Sequence, residues 1–266
     1  MKNTVLVTIA SLFILGCSSD TTEPATAAPA DAPAPSASIY DAAVASSTRL
    51  EGDYARDAGR KPAAVLEFIG VEAGDTVFDM FAGGGYYTEL VADVVGPEGH
   101  VDSHSNKPYM NYVGEEFAQR HGNNRLPNVS VIMAENNELE LAAEQYDVML
   151  VVLSYHDIYH VDEGNGWYQI DGDQLRAEWL KGLKPGGVIG IVDHVAAAGA
   201  PAETGETLHR IDPQRVVAEM TAAGFVLDGE SDVLRNANDD HSLSAFAPGI
   251  RGNTDRFVMR FIKPAE

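Results

Sequence analysis

The chain has 266 residues, and its 18 Lys and Arg stand against 40 Asp and Glu, a formal net charge of −22. Nucleic-acid binding draws much of its affinity from cations that neutralise phosphates, so this balance argues against DNA or RNA partners and against binding to anionic membrane surfaces. A single cysteine, Cys17, excludes disulfides, cysteine metal sites and a cysteine nucleophile from the folded part.

Met1 to Cys17 carries Lys2, an apolar stretch from Val5 to Leu15 and then Gly16-Cys17. It is too short to span a bilayer as a helix but fits an export signal. Ile14-Leu15-Gly16-Cys17 resembles a bacterial lipobox, which implies cleavage before Cys17 and a lipid on its sulfur. Ser18 follows rather than an aspartate, which in a Gram-negative lipoprotein implies the periplasmic face of the outer membrane. Ser18 to Ser38 is rich in Ala, Pro, Ser, Thr and acids without apolar periodicity, as expected of a flexible tether. From Ile39 to Glu266 about 230 residues remain, enough for one α/β domain with a full core.

Ile39 to Leu50 predicts a helix. Arg49, Arg56, Arg60 and Lys61 then cluster in a cation-poor chain, either to hold a substrate anion or as paired surface charges. Pro62 opens a helix through Phe68, and Gly70 stops it. Val77 to Leu90, VFDMFAGGGYYTEL, reads as a strand, a turn and a helix start: Asp79 closes the strand, and Gly83, Gly84 and Gly85 permit a tight reversal beside a ligand. A carboxylate there repels phosphates and accepts from an ammonium group. The spacing disfavours dinucleotides, because a G-x-G-x-x-G reading meets Thr88 at its third glycine.

Asp79-x-Phe81-x-Gly83-x-Gly85 resembles the first motif of class I S-adenosylmethionine (SAM) dependent methyltransferases, with Phe81 in a slot that many members fill with glycine. The resemblance implies that Asp79 receives the amino group of SAM, that Gly83, Gly84 and Gly85 pass close to it, and that the end of the second strand grips the ribose. That place holds Ser105 or Asn106, neutral where the family has an acid. Glu135, after a strand from Asn128 to Met133, stands where the family has an acid for adenine; a surface acid is the alternative.

Tyr146 to Leu153 is a nearly continuous apolar run, as expected of a central parallel strand. It delivers Ser154-Tyr155-His156-Asp157-Ile158-Tyr159-His160 to the carboxyl edge of the sheet, where open α/β folds bind ligands. His156 is the candidate general base, oriented by Asp157, with His209 as a second. His156 and His160 are also four apart and could share a metal on a helix, with Asp193 or His194 as a further donor; a purely structural role is the third reading, and no metal is assigned.

Gly166 to Leu183 contains a helix, and Leu183-Lys184-Pro185-Gly186-Gly187 turns into a strand from Val188 to Val192, a pairing that also recurs in class I methyltransferases. Asp212-Pro213 opens a further helix, and strands are expected at Phe225 to Asp228 and Arg256 to Ile262, separated by a long loop. The expected fold is α/β, a doubly wound Rossmann-like open sheet, mostly parallel, with an antiparallel strand near the C-terminus. DMFAGGGYYTEL, YHDIYH, LHRID and RFVMRFIKP together resemble a group of predicted bacterial class I methyltransferases that often carry export signals. The expected function is SAM-dependent methylation of a small molecule, with a lipid on Cys17 as the membrane contact. The alternative is an exported binding or sensing module that reuses the fold.

Overall fold

Tyr146–Val152 (β4) is apolar at nearly every position because both of its faces are covered: Val148 and Leu150 enter one layer of core, Met149 and Val151 the other. It pairs in parallel with Thr76–Met80 (β1) on one side and Leu183–His194 (β5) on the other. His100–Ser105 (β2) and Val129–Met133 (β3) continue the parallel sheet beyond β1. Beyond β5 lie Arg256–Ile262 (β7) and then Val226–Ser231 (β6), paired antiparallel. The seven strands run in the order β3-β2-β1-β4-β5-β7-β6, which is the expected open, doubly wound sheet. This computed structural model describes Met1 and residues 38–265; the expected export signal, lipid-bearing Cys17 and tether fall, apart from Met1 and Ser38, on residues 2–37, outside the described residues.

Helices cover both faces. Ile39–Val44 (α1), Pro62–Ile69 (α3) and Tyr86–Val95 (α4) supply Ala43, Leu66, Ile69 and Leu90 to one layer; Gly172–Gly182 (α6) and Pro213–Ala222 (α8) supply Leu175, Trp179, Val216 and Met220 to the other. Each buried Leu, Ile, Val or Met among these stabilises the fold by about 1.5–3 kcal/mol. Asp212 caps α8 by accepting from the Gln214 N–H, with Pro213 in its first turn, as the sequence predicts. Among the described residues no helix is long and apolar enough to cross a membrane.

One helix is shorter than expected and three are additional. The first stops at Val44, and a separate helix, Glu51–Arg60 (α2), follows. Its Asp53, Arg56, Asp57 and Arg60 fall on one stripe, and it is held by charge rather than by an apolar face: Arg49 reaches Asp57 at 2.7 Å, and Arg56 reaches Glu116 at 2.6 Å. The Arg60 guanidinium stacks 4.5 Å from the Tyr86 ring centroid, and Lys61 donates to the Val233 carbonyl at 2.7 Å. The basic cluster is thus engaged within the protein. A short helix, Thr204–Leu208 (α7), precedes His209. The third addition, Lys107–His121 (α5), follows β2, capped by Asn106, whose side-chain oxygen accepts from the Tyr109 N–H at 3.0 Å.

Candidate functional site

The chain leaves β1 through a strained corner. Phe81 has φ 52°, the left-handed region in which a side chain costs roughly 1–2 kcal/mol, which explains why glycine suits that slot. Leu153 after β4 (φ 58°) and His209 after α7 (φ 52°) share this conformation; such strain tends to collect at functional sites.

Asp79 is buried, and its carboxylate accepts from the Thr88 hydroxyl at 2.6 Å. Thr88, which replaces the third glycine of a dinucleotide motif, therefore holds the strand-end acid. Burial raises the Asp79 pKa to about 6, against the Thr88 hydrogen bond and the charge of Arg120.

The glycines have a packing role that the sequence does not announce. One stripe of α5, Tyr109, Val113, Glu116 and Arg120, lies along the turn. A Cβ on Gly84 would stand 2.5 Å from the Glu116 side chain, and one on Gly85 2.7 Å from the Arg120 side chain. Gly85 also has φ 79°. Arg120 is fully buried, donates to the Gly84 carbonyl at 2.5 Å and pairs with Asp53 at 2.8 Å and with Glu89.

The N–H groups of Gly83 and Gly84 have no partner among the described residues. Around the same carboxyl edge, the buried Ser105 Oγ at the end of β2, Asn136 Oδ1 after β3 and Ser154 Oγ after β4 are also unpartnered. Of the expected ribose pair, Ser105 keeps a free hydroxyl while Asn106 has its oxygen committed to α5. Glu135 is half-buried beyond β3 and accepts from the Lys107 N–H at 3.3 Å.

The structure brings His156, Asp157 and His209 together, their ligand atoms all within 4.8 Å of one another. His156 is 2% exposed. Its orienting partner is Asp193, at 2.8 Å from Nδ1, with Asp157 at 3.3 Å from Nε2 on the other side. Burial pushes the His156 ring down, but the Asp193 and Asp157 carboxylates outweigh it and raise its pKa to about 9. Burial also pushes Asp193 up, and the charge of His156 more than offsets it, holding the carboxyl below its usual range. His209 is lowered by burial and by the charge of His156.

Tyr109 donates its hydroxyl to Asp157, and its ring lies 5.6 Å from Phe81 and 5.0 Å from Trp167. It thereby connects the glycine corner to the histidine group, a link through α5 that the sequence reading missed. The alternative in which His156 and His160 share a metal on a helix is not formed, because Tyr155–Tyr159 is a 3-10 turn, in which residues four apart do not share a face. His160 instead lies 5.8 Å from His209 and 5.1 Å from Trp167. The long loop after β6 returns to the site: Phe246 packs edge-on against His209 at 4.6 Å, and Arg210 binds the loop through the Leu243 carbonyl and Asp239. A cavity of about 690 Å³ opens beside Tyr159 and Arg176, lined by neither the glycines nor the His156 group.

No protein-family model matches the chain, and no curated protein matches its sequence. Solved structures do match in shape. A SAM-dependent methyltransferase from Aquifex aeolicus is 19% identical, with 79% of this chain and 95% of that one covered at a TM-score of 0.54. One from Mesorhizobium loti is 12% identical, covering 77% and 97% at 0.52. The 4+2 cyclase SpnF is 16% identical, covering 80% and 81% at 0.52. With its strand order and with β7 antiparallel to both of its neighbours, β5 and β6, the chain has the α/β fold of the class I SAM-dependent methyltransferases.

Proposed function

We propose that the chain binds SAM and transfers its methyl group to a small-molecule acceptor. The observation that carries this reading is the set of unpartnered polar groups along one sheet edge: the Gly83 and Gly84 N–H groups with Ser105, Asn136 and Ser154. Buried polar groups are nearly always paired, so such a row is suited to a polar ligand. Asp79 would take the amino group, the chain from Phe81 to Gly85 the aminoacyl part, Ser105 with Asn106 the ribose, and Glu135 the adenine. When bound, SAM supplies a methyl group on a positively charged sulfur. The protein's task is then to position the acceptor and receive its proton. Both nitrogens of His156 face carboxylates, whereas His209 makes no side-chain hydrogen bond among the described residues, so His209 is the better proton acceptor and His156 with Asp157 the better anchor.

Because α5 lies on the glycine turn, the ligand must displace its stripe, and apparent affinity falls by the fraction of chains in which the turn is uncovered. Calorimetric titration of the full chain in detergent with SAM and S-adenosylhomocysteine tests the reading. Saturable binding, weakened at least about tenfold by Asp79→Ala, is expected. A folded chain that takes neither ligand would favour the second reading, an exported binding module. Asn106, spent on capping α5 where the resemblance expects a ribose acid, is the feature on that side. SAM is made inside cells, and a lipid-anchored protein needs an outside supply of it; a binding module does not.

A further inference from the structure

We propose that His156, Asp157 and His209 form a binding site for one divalent transition-metal cation, zinc being the probe of choice. His156 Nε2 and Asp157 Oδ1 are 3.3 Å apart, and donors bound to one tetrahedral metal at ~2.1 Å lie roughly 3.4 Å apart. With the whole group inside 4.8 Å, His209 completes the set by a side-chain movement of about 1 Å.

Support behind the donors is already built. Metal-binding histidines commonly donate their second N–H to a carboxylate, which fixes the ring and raises its basicity. Asp193 does this for His156 at Nδ1 and is itself pinned by the backbone N–H groups of His156 at 2.8 Å and His194 at 2.7 Å. Tyr109 holds the other oxygen of Asp157. Nε2 and Oδ1 are thereby aimed at each other and at His209, whose ring has no hydrogen-bond partner among the described residues and whose backbone is held in the left-handed region. Next to it, the buried Nδ1 of His160 is also unpartnered.

Two imidazoles and one carboxylate leave at least one coordination position for water or a small oxygen-bearing ligand, the arrangement of catalytic rather than structural sites. A cation here would lower the pKa of a bound hydroxyl so that its proton could pass to water, His209 being occupied as a ligand. The inference does not depend on whether the chain transfers methyl groups.

The test uses tag-free full chain, stripped with chelator and titrated with Zn²⁺, with Co²⁺ absorbance as a second probe of nitrogen and oxygen ligation. Expected are one equivalent bound, a rise in thermal midpoint that chelator reverses, and loss of at least about 100-fold in affinity in His209→Ala and Asp157→Asn, with about tenfold in Tyr109→Phe. Circular dichroism checks that each variant is folded; His209, half-buried beyond a helix end, is the site least costly to truncate. No saturable binding to the folded chain, or binding that His209→Ala and Asp157→Asn leave unchanged, overturns the proposal. Neither result bears on SAM binding, which is measured separately without metal.

Discussion

Arg120 donates its Nε–H to the carbonyl oxygen of Gly84 across 2.5 Å, tying the helix after the second strand to the turn after the first. The guanidinium is fully buried with Asp53 and Glu89, themselves about 1% exposed at the side chain. Removing one partner of a buried pair leaves uncompensated charge. Arg120→Met is therefore expected to lower stability by about 3–5 kcal/mol, read from urea denaturation. A loss below about 1 kcal/mol would show that the network does not hold the turn.

Gly84 and Gly85 separate two kinds of constraint. In Gly84→Ala the new methyl meets the end of the Glu116 side chain, which is a third exposed and can shift while its pairs with Arg56 and Arg120 adjust. In Gly85→Ala it meets Arg120, held by its ion pairs, at a backbone position with φ 79°. Gly85→Ala should cost about 2 kcal/mol or more and Gly84→Ala less than about 1 kcal/mol. Equal costs in thermal unfolding would mean that α5 does not rest on the turn.

Asp79 gives a pH signature. Its folded pKa, about 6, lies above the ordinary value of 3.8, so the folded state holds a proton that the unfolded chain releases. Below about pH 4 the residue contributes nothing; as pH rises from 4 to 6 stability falls, by about 3 kcal/mol once both states are ionised. Asp79→Asn, which can still accept from Thr88, should match wild type near pH 4 and exceed it above pH 6. Urea midpoints across that range decide it, and a pH-independent difference would place the Asp79 pKa near its ordinary value.

Cys17 tests localisation. If the Ile14 to Cys17 motif is lipidated, Cys17→Ser should release the protein from the membrane fraction without changing its circular dichroism. Persistent membrane attachment of the variant would defeat the lipoprotein reading.

The sheet was legible because β1, β4 and β5 carry apolar runs, with glycine turns after β1 and at the start of β5, and Asp79 with its glycines marks one strand end. The β4 run likewise delivered His156 and Asp157 to the carboxyl edge. What escaped was stabilised by charge. The inner stripe of α5 includes Glu116 and Arg120, and α2 is anchored by Asp53, Arg56 and Asp57, so neither shows the apolar period that reveals a helix. Asn106 followed by Pro108 was the available signal for α5, a cap with proline in the first turn. Asp193 was legible only as a possible metal donor, since its pairing with His156 joins the ends of two strands.

The placement of β7 sets the order in which the molecule can assemble. This strand lies between β5 and β6, with Val188 paired to Ile262 and Val226 to the same residue. A ribosome releases Ile262 after every other strand, so until then β5 presents an open edge and β6 has nothing to pair with. Those contacts span long stretches of chain, and loop closure makes them slow. Truncation before Arg256 should leave not a smaller folded protein but an adhesive intermediate, and a nascent chain would stay pliable until β7 had emerged.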